Sequence, residues 1–457
     1  MSSPLTSLPP GPLVSFYGDD FTGSSAAMEA FAWQGIKTVL FLDVPSVERL
    51  AEFPDYRCIG IAGIARSKNP SWMDAHLPAI FERLAQTGAP VVQYKVCSTF
   101  DSSPQTGSIG KAADIGAERF PGPIPMLVGD LGMGRMQVFG HLFAQANGDY
   151  YRLDRHPTMA NHPATPMHEA DLTRHLALQT SLPITNVNFL HLKRDDTEEI
   201  IRRQSPDMSQ IYAIDLLDEE TLRAAGQAIW TMGKGQKFVI GSQGVQAALA
   251  AYWRSEGLLA DPPVAPQVRR VNRIAVVSGS VSPMTAAQID HATSHGFEAI
   301  RLDLSRLSDP HAWDAELDRA VTKSRAALSE GRDPVVFTAK GPDDPAVRQL
   351  KDKFHDDRKT AEAVNDLIGS SLGHILDRLI TETGLTRVVL SGGDTSSHAA
   401  LRLKIDALTS VAKLAPGGPL CRAHSADPSR NGIEIAMKGG QVGAVDYFVA
   451  ARDGHTI

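Results

Sequence analysis

Leu13-Val-Ser-Phe-Tyr-Gly18-Asp-Asp-Phe-Thr-Gly23 decides the fold. Leu13–Tyr17 is a short apolar run of the length of one buried strand. Gly18–Gly23 reads as a polar turn, and Ser24–Gln34 has helical spacing and stops at Gly35. Strand, polar turn and helix form the unit of open α/β sheets, in which ligands bind beyond the carboxyl ends of strands.

The unit recurs outward from this point. Thr38–Leu42, Cys58–Ile64, Val91–Lys95 and Met126–Val128 read as strands, and Trp72–Ala85 and Ile109–Arg119 as helices. Residues 129–183, rich in His, Pro and Met, break the rhythm and read as an insertion or lid. It resumes with Ile211–Ile214, Leu216–Met232, Lys237–Ile240 and Val245–Arg254. Gly257-Leu-Leu-Ala-Asp-Pro-Pro-Val-Ala-Pro266 suits an extended connection. A second α/β unit follows, with strands at Arg273–Ser278, Val335–Thr338, Arg387–Leu390 and Ile433–Met437 and helices at Pro283–His295 and about Thr360–Thr383. The expected fold is α/β in two domains, each a mainly parallel sheet flanked by helices, with residues 1–256 and 272–457 joined by a linker at 257–271.

Composition narrows the function classes. A chain of 457 residues is long for one core. Net charge is -7 without a long run of one sign, which favours neither nucleic acid nor an anionic membrane as partner. Three scattered cysteines argue against a disulfide framework and fit the cytoplasm. No apolar run is long enough to span a bilayer, and Met1–Gly11, rich in Pro and Ser, lacks signal-peptide character and reads as disordered. A homodimer is expected on general frequency alone.

The chemistry-bearing residues follow strands. Asp19 and Asp20 put two carboxylates in the first turn, where they can orient a hydroxyl, take its proton or hold a metal. The bland alternative is helix capping, for which one acid suffices. Lys95-Val-Cys-Ser-Thr-Phe-Asp-Ser-Ser-Pro-Gln-Thr-Gly-Ser-Ile-Gly110 brings a cation, hydroxyls and a carboxylate behind the Val91 strand, and such a loop can hold a small polyhydroxylated anion. Arg66, after the Cys58 strand, has the fork that matches a carboxylate. Ser98, Thr99 and Asp101 can bond substrate hydroxyls. Taken singly, Arg66 and Lys95 read as solvated charges. Polar loops meeting at one sheet edge weigh against that.

The second unit carries three glycine-rich turns after strands: Gly279-Ser280-Val281-Ser282-Pro283, Ser391-Gly392-Gly393-Asp394-Thr395-Ser396 and Lys438-Gly439-Gly440-Gln-Val-Gly443. Ser282 as N-cap with Pro283 at the first helical position starts a helix whose free N–H groups suit an anion. One such turn is weak evidence, whereas three in one domain favour a nucleotide. Other signatures fail. No Gly-x-x-x-x-Gly-Lys-[Ser/Thr] occurs, and Gly132-Met-Gly134-Arg-Met-Gln137 lacks the third glycine of a dinucleotide fingerprint. His291 and His295 lack a third metal ligand nearby. His156 and His162 read first as loop polar groups and second as substrate contacts.

On these residues the chain resembles the four-carbon acid sugar kinase family. The likeness covers Tyr17-Gly-Asp-Asp-Phe-Thr-Gly23, Ala65-Arg-Ser67, Lys95-Val-Cys-Ser-Thr-Phe-Asp101, Gly140-His-Leu-Phe143, His162-Pro-Ala-Thr-Pro-Met167 and the Ser391–Thr395 and Lys438–Gly440 loops. The Lys95 and His162 motifs resemble the branch that phosphorylates 3-oxo-tetronates. The resemblance implies a sugar-acid site in the N-terminal domain and an ATP site in the C-terminal domain; Mg²⁺ is expected to bridge the phosphates, since transfer otherwise faces unscreened charge, its protein ligands unassigned. Asp20 would be the base or hydroxyl-orienting group with Asp19 close by. Arg66 and Lys95 would grip the carboxylate, Ser98, Thr99 and Asp101 would read hydroxyls, and Arg135 and His162 would add substrate contacts. Ser280, Ser282, Gly392, Gly393, Asp394, Thr395, Lys438, Gly439 and Gly440 would line the nucleotide, and domain closure would precede transfer.

Two departures from the family pattern stand out. Leu127-Val-Gly-Asp-Leu-Gly-Met-Gly-Arg135 replaces a Pro-Ala-Phe-Pro-like strand end, which points toward a branched acid such as 3-oxo-isoapionate. Gly439 stands where many relatives have Ser. The rival expectations are a sugar-acid dehydrogenase and a non-catalytic sugar-acid sensor on a kinase scaffold.

Overall fold

The computed structural model describes residues 7–146, 148–162, 165–194, 196, 199–200, 208–264, 266–354 and 358–456, with the side chains of 350–362 and 394–398 left out. Residues 1–6 of the proline-rich start and Pro163-Ala164 of the His162 motif lie outside it, as do the side chains of Asp394 and Thr395. The chain divides into two compact units at Pro263/Val264. Between Ser255 and Ala275 the described residues form neither helix nor strand.

In the first unit, strands β1 (Val14–Gly18), β2 (Thr38–Phe41), β3 (Cys58–Ala62), β4 (Val91–Lys95) and β5 (Pro123–Leu127) enter one parallel sheet. β6 (Arg135–Val138), β7 (His141–Ala146) and β8 (Asp149–Arg152) form a separate antiparallel sheet. β9 (Ile184–Val187), β10 (Gln210–Ile214) and β11 (Lys237–Gly241) complete the parallel one, in the order β2-β3-β1-β4-β11-β5-β10-β9. The central strands are buried on both faces, which is why they read as continuous apolar runs. On one face Tyr17, Tyr94 and Phe238 of the strands pack beneath the helices Pro70–Ala85 and Ile109–Arg119, with Phe81 of the first helix set against Tyr94 and Phe238. On the other, Phe31 of the helix Phe21–Ala32 stacks on Trp253 of the helix Gly244–Ser255. Each such ring buried contributes about 2–3 kcal/mol.

The stretch 129–183, expected to be irregular, holds the β6–β8 sheet instead. Its strands face solvent on one side, and with His, Gln and Tyr between the apolar residues they carry no strong alternation. Asp215 fixes the turn between β6 and β7, accepting from the backbone N–H groups of Phe139 and Gly140.

The second unit contains β12 (Ala275–Ser278), β13 (Phe297–Arg301), β14 (Asp333–Phe337), β15 (Arg387–Ser391), β16 (Ala407–Ala415), β17 (Gly418–His424) and β18 (Glu434–Lys438), ordered β13-β14-β12-β15-β18-β17-β16. All pairs are parallel except those made by β17, which runs antiparallel to β16 and β18. The β16–β17 hairpin, β13 and the helix Pro310–Ser329 add to the expected elements. Gly417, at φ 73, makes the hairpin turn. The buried Arg387 ties the sheet's base together, bonding Glu434, the Arg269 carbonyl and the Ala451 carbonyl.

Candidate functional site

β3, β1, β4, β11 and β5 are consecutive in the first sheet, so the loops after them share one edge. Register fixes the height. Lys95 ends β4 opposite Gly18 of β1 and Gly241 of β11. Gly18 leaves room for the helix that follows, because a Cβ there would sit 1.9 Å from Ser24 Oγ. Asp20 is the N-cap of that helix, its Oδ1 accepting from Gly23 N at 3.0 Å.

Capping is only part of what Asp20 does. Arg66 Nη2 donates to Asp19 Oδ1 and to Asp20 Oδ1, each at 2.7 Å, and its Nε reaches Asp19 Oδ2 at 3.1 Å. The backbone holds the pair in place, with Arg66 N bonding Asp19 O and Asp19 N bonding Lys95 O. Asp19 is fully buried, and burial pushes its carboxyl up while Arg66 opposes the rise. Against its own burial cost, Arg66 is held above its ordinary value by Asp19 and then Asp20. The guanidinium expected to grip a substrate carboxylate is thus committed to the two acids.

Lys95 is the contrasting cation. Only 1% of it is exposed, and among the described residues its Nζ makes no hydrogen bond or ion pair. Burial lowers its pKa, and the attraction of Asp20 and Asp19 partly offsets that. A Cβ on Gly23 would sit 2.4 Å from Asp20 Oδ1 and 2.6 Å from Lys95 Nζ, so carboxylate and ammonium flank one point above a bare backbone. A buried ammonium without a partner is costly, and an anionic or carbonyl ligand removes the cost.

The loop after β4 supplies the oxygens. Thr99 Oγ1 donates to Asp101 at 2.6 Å and lies 2.9 Å from Cys97 Sγ, and Ser98, Thr99 and Asp101 are all under one-tenth exposed. Phe100, at φ 59, turns inward with its ring against His175. Gly107 N bonds Lys68 O, closing the loop over the Arg66 turn.

Arg135 joins this group electrostatically, near Cys97, Asp130 and Asp101. Its Nη1 donates to the Met133 carbonyl at 2.7 Å. Among the bonds described, the His162 ring contacts Thr165 alone and its backbone N–H bonds the Met159 carbonyl, and none of these ties it to the Asp19–Lys95 group. Sequence reasoning passed over Asp130 and Gln243. Gln243 Nε2 donates to Asp130 Oδ2 at 2.6 Å at the ends of β11 and β5, and the charge of Lys95 reaches Asp130. The signal was present, since Gly129-Asp-Leu-Gly132 follows a strand just as Gly18-Asp-Asp does.

In the second unit β12, β15 and β18 are neighbours, so the three glycine turns share one edge. Ser282 Oγ caps the helix Pro283–Thr293 through the N–H groups of Met284 and Thr285. Ser280 Oγ receives Ser282 N and Thr285 Oγ1. Gly392, at φ 129, leads into the helix Gly393–Arg402 without a side-chain cap. A Cβ on Gly440 would meet Ser280 Oγ at 2.6 Å, so this close approach needs glycine. Lys438 lies beneath Gly439 and Gly440 rather than above them, with 1% exposed. Among the described residues no group of three His, Cys, Asp or Glu side chains suits a metal, and no helix is long and apolar enough to cross a membrane.

Residues 14–249 match the family model of a sugar-binding N-terminal domain, and residues 275–448 that of a nucleotide-binding C-terminal domain. The chain is 48% identical over 451 residues to a 3-oxo-isoapionate kinase of Paraburkholderia graminis, covering 98% of this chain and 96% of that one. It is 28% identical over 447 residues to a 3-oxo-tetronate kinase of Pseudomonas fluorescens, covering 97% of each. Solved structures share the fold. A Salmonella typhimurium LT2 protein described as a tRNA synthase superposes with a TM-score of 0.76 at 22% identity, covering 96% of this chain and 98% of its own. A Haemophilus influenzae protein does so with 0.72 at 23%, covering 96% and 99%.

Proposed function

The chain belongs to the four-carbon acid sugar kinase family and is an ATP-dependent kinase of small keto sugar acids, and we propose that its acceptor is a branched acid of the 3-oxo-isoapionate type, phosphorylated on a terminal hydroxyl. The observation that carries the reading is the Lys95 ammonium, buried beside Asp20 and the hydroxyl loop and without a hydrogen-bond or ion-pair partner among the described residues. The acceptor class has two supports: the 48% likeness to a 3-oxo-isoapionate kinase and the departure of Leu127–Arg135 from the family pattern.

In this reading Lys95 takes the substrate carboxylate or keto oxygen. Arg66 is a positioning residue that holds the Asp19 and Asp20 carboxylates aligned. Asp20 orients the acceptor hydroxyl and takes its proton as the bond to phosphorus forms. Ser98, Thr99 and Asp101 read the remaining hydroxyls, with Arg135 and His162 as outer contacts. Ser280, Ser282, Gly392, Gly393, Gly439 and Gly440 cradle the phosphates through backbone N–H groups and hydroxyls, and Asp394 and Thr395 extend the cradle. Mg²⁺ would neutralise phosphate charge, riding mainly on the nucleotide, as its preference for phosphates with one or two carboxylates allows. A cytoplasmic location and a homodimer, the latter checked by light scattering, complete the proposal.

The test is ADP release over a panel of linear and branched four- and five-carbon sugar acids and their 3-oxo forms, for wild type and D20N. The reading expects ATP-dependent turnover highest on a branched 3-oxo acid, abolished in D20N while ADP still binds. Turnover in D20N within about twofold of wild type removes Asp20 from the mechanism. Ligand binding without any ADP release makes the protein a sensor, and nicotinamide-linked oxidation would revive the dehydrogenase.

A further inference from the structure

Lys438 is the last residue of β18, and its Nζ reaches three separate segments. It donates to Ser391 Oγ at 3.2 Å, at the end of β15, and to Thr285 Oγ1 at 3.2 Å, in the first turn of the helix Pro283–Thr293. It also donates to the Gly440 carbonyl at 3.3 Å, in its own loop. All three glycine turns of the nucleotide edge are therefore tied to one atom. Thr285 Oγ1 in turn donates to Ser280 Oγ and lies 2.9 Å from the Gly440 carbonyl, which closes the network.

No described neighbour would balance a positive charge on that atom. The helix Tyr447–Asp453 presents the rings of Tyr447 and Phe448, each 6.0 Å from Nζ, and the Tyr447 hydroxyl is turned away to the Gly418 carbonyl. The helix Pro283–Thr293 presents Thr285, and its Gln288 bonds the carbonyls of Val442, Gly443 and Ala444. β15 presents Ser391, since Arg387 at its far end pairs with Glu434 of β18. Arg452 and Asp453, at the far end of the last helix, pair with each other, and Arg452 also with Asp333. Among the described side chains no carboxylate pairs with Lys438, and burial alone lowers it, to about 7.

We propose that Lys438 is a positioning residue that sets the spacing of the phosphate cradle from below and takes up a proton when the nucleotide binds. The inference rests on the reading of these turns as a nucleotide site. A buried cation is disfavoured until an anion is brought close, and a triphosphate across the three turns is such an anion. Bound phosphate raises the amine, so binding draws a proton from solvent wherever the free protein holds Lys438 neutral. Nucleotide affinity is then greatest below pH 7 and falls as pH rises, by up to about tenfold per unit until the pKa of the complex is passed.

Titration calorimetry of the intact protein with ADP in buffers of unlike ionisation enthalpy counts the protons. Wild type should take up about half a proton at pH 7 and about nine-tenths at pH 8, with a similar uptake at pH 9. A histidine or a nucleotide phosphate would give uptake that shrinks over the same range. K438M should bind ADP with no uptake above pH 8 and a flat affinity profile. Uptake that shrinks above pH 7 in wild type, or persists in K438M, overturns the inference and leaves the kinase assignment standing. The wild-type profile decides the matter even if K438M does not fold. Failure of wild type to bind ADP would instead sink the nucleotide-site reading itself.

Discussion

Gly23→Ala separates the site from the scaffold. Gly23 lies in the first turn of the helix Phe21–Ala32, where alanine is favoured over glycine by about 1 kcal/mol. The new methyl would stand 2.4 Å from Asp20 Oδ1, 2.6 Å from Lys95 Nζ and 3.5 Å from Arg66 Nη2, so the first two must retreat by about 1 Å to reach van der Waals contact. Displacing Asp20 weakens its cap on Gly23 N, a loss of about 1 kcal/mol that offsets the propensity gain. Stability should therefore change by less than about 1 kcal/mol. A 1 Å misplacement of a reacting group costs about a hundredfold in rate, so kcat/KM should fall by that order. The assay pairs urea denaturation with coupled ADP release. A variant as stable as wild type with kcat/KM within threefold would refute the claim that Asp20 and Lys95 converge on the acceptor.

Three further outcomes are expected. K95M removes the unpaired ammonium, so KM for the sugar acid should rise at least tenfold while ADP affinity measured by calorimetry stays unchanged. R66M removes the main opposition to burial at Asp19 and leaves only the attraction of Lys95, so the carboxyl rises further. That variant should be most stable at acid pH, where Asp19 is protonated, and lose stability as pH climbs through the raised value. The loss should reach a few kcal/mol, below the 3–5 typical of a buried pair because Arg66 and Asp20 are each about a quarter exposed. Thermal melts from pH 5 to 8 read it. In wild type the amine of Lys438 is lowered to about 7, so folding releases its proton between about pH 7 and 10.5. Its contribution to stability rises with pH there, by up to about 1.4 kcal/mol per unit. K438M should lack that slope in urea titrations at pH 7, 8 and 9.

What could be read from sequence followed the physics of each element. β1, β3, β4 and β11 are buried on both faces, so they appear as mainly apolar runs broken only by Ser15, Gln93 and the terminal lysines Lys95 and Lys237, each followed by a polar or glycine turn. β6–β8 escaped because half-exposed strands carrying Gln, His and Tyr give a weak alternation, and β13 because it mixes Glu298 and Arg301 with Phe297 and Ile300. The candidate site residues stood out because they follow strands. Their pairings did not, since Arg66 meets Asp19 across 47 positions and nothing local announces that its fork is already filled. Lys438 illustrates the same blind spot. A cation beside two glycines reads as a loop charge facing the ligand, yet its place as the last residue of a central strand carries it underneath.

The most direct test of the account is a crystal structure with a non-hydrolysable ATP analogue and the branched 3-oxo acid. Phosphates should lie against the backbone N–H groups of Gly392, Gly393 and Gly440, and the acid's carboxylate or keto oxygen within hydrogen-bond reach of Lys95 Nζ with a hydroxyl on Asp20. A nucleotide bound away from all three glycine turns, or an acid that leaves Lys95 unpartnered, would contradict it.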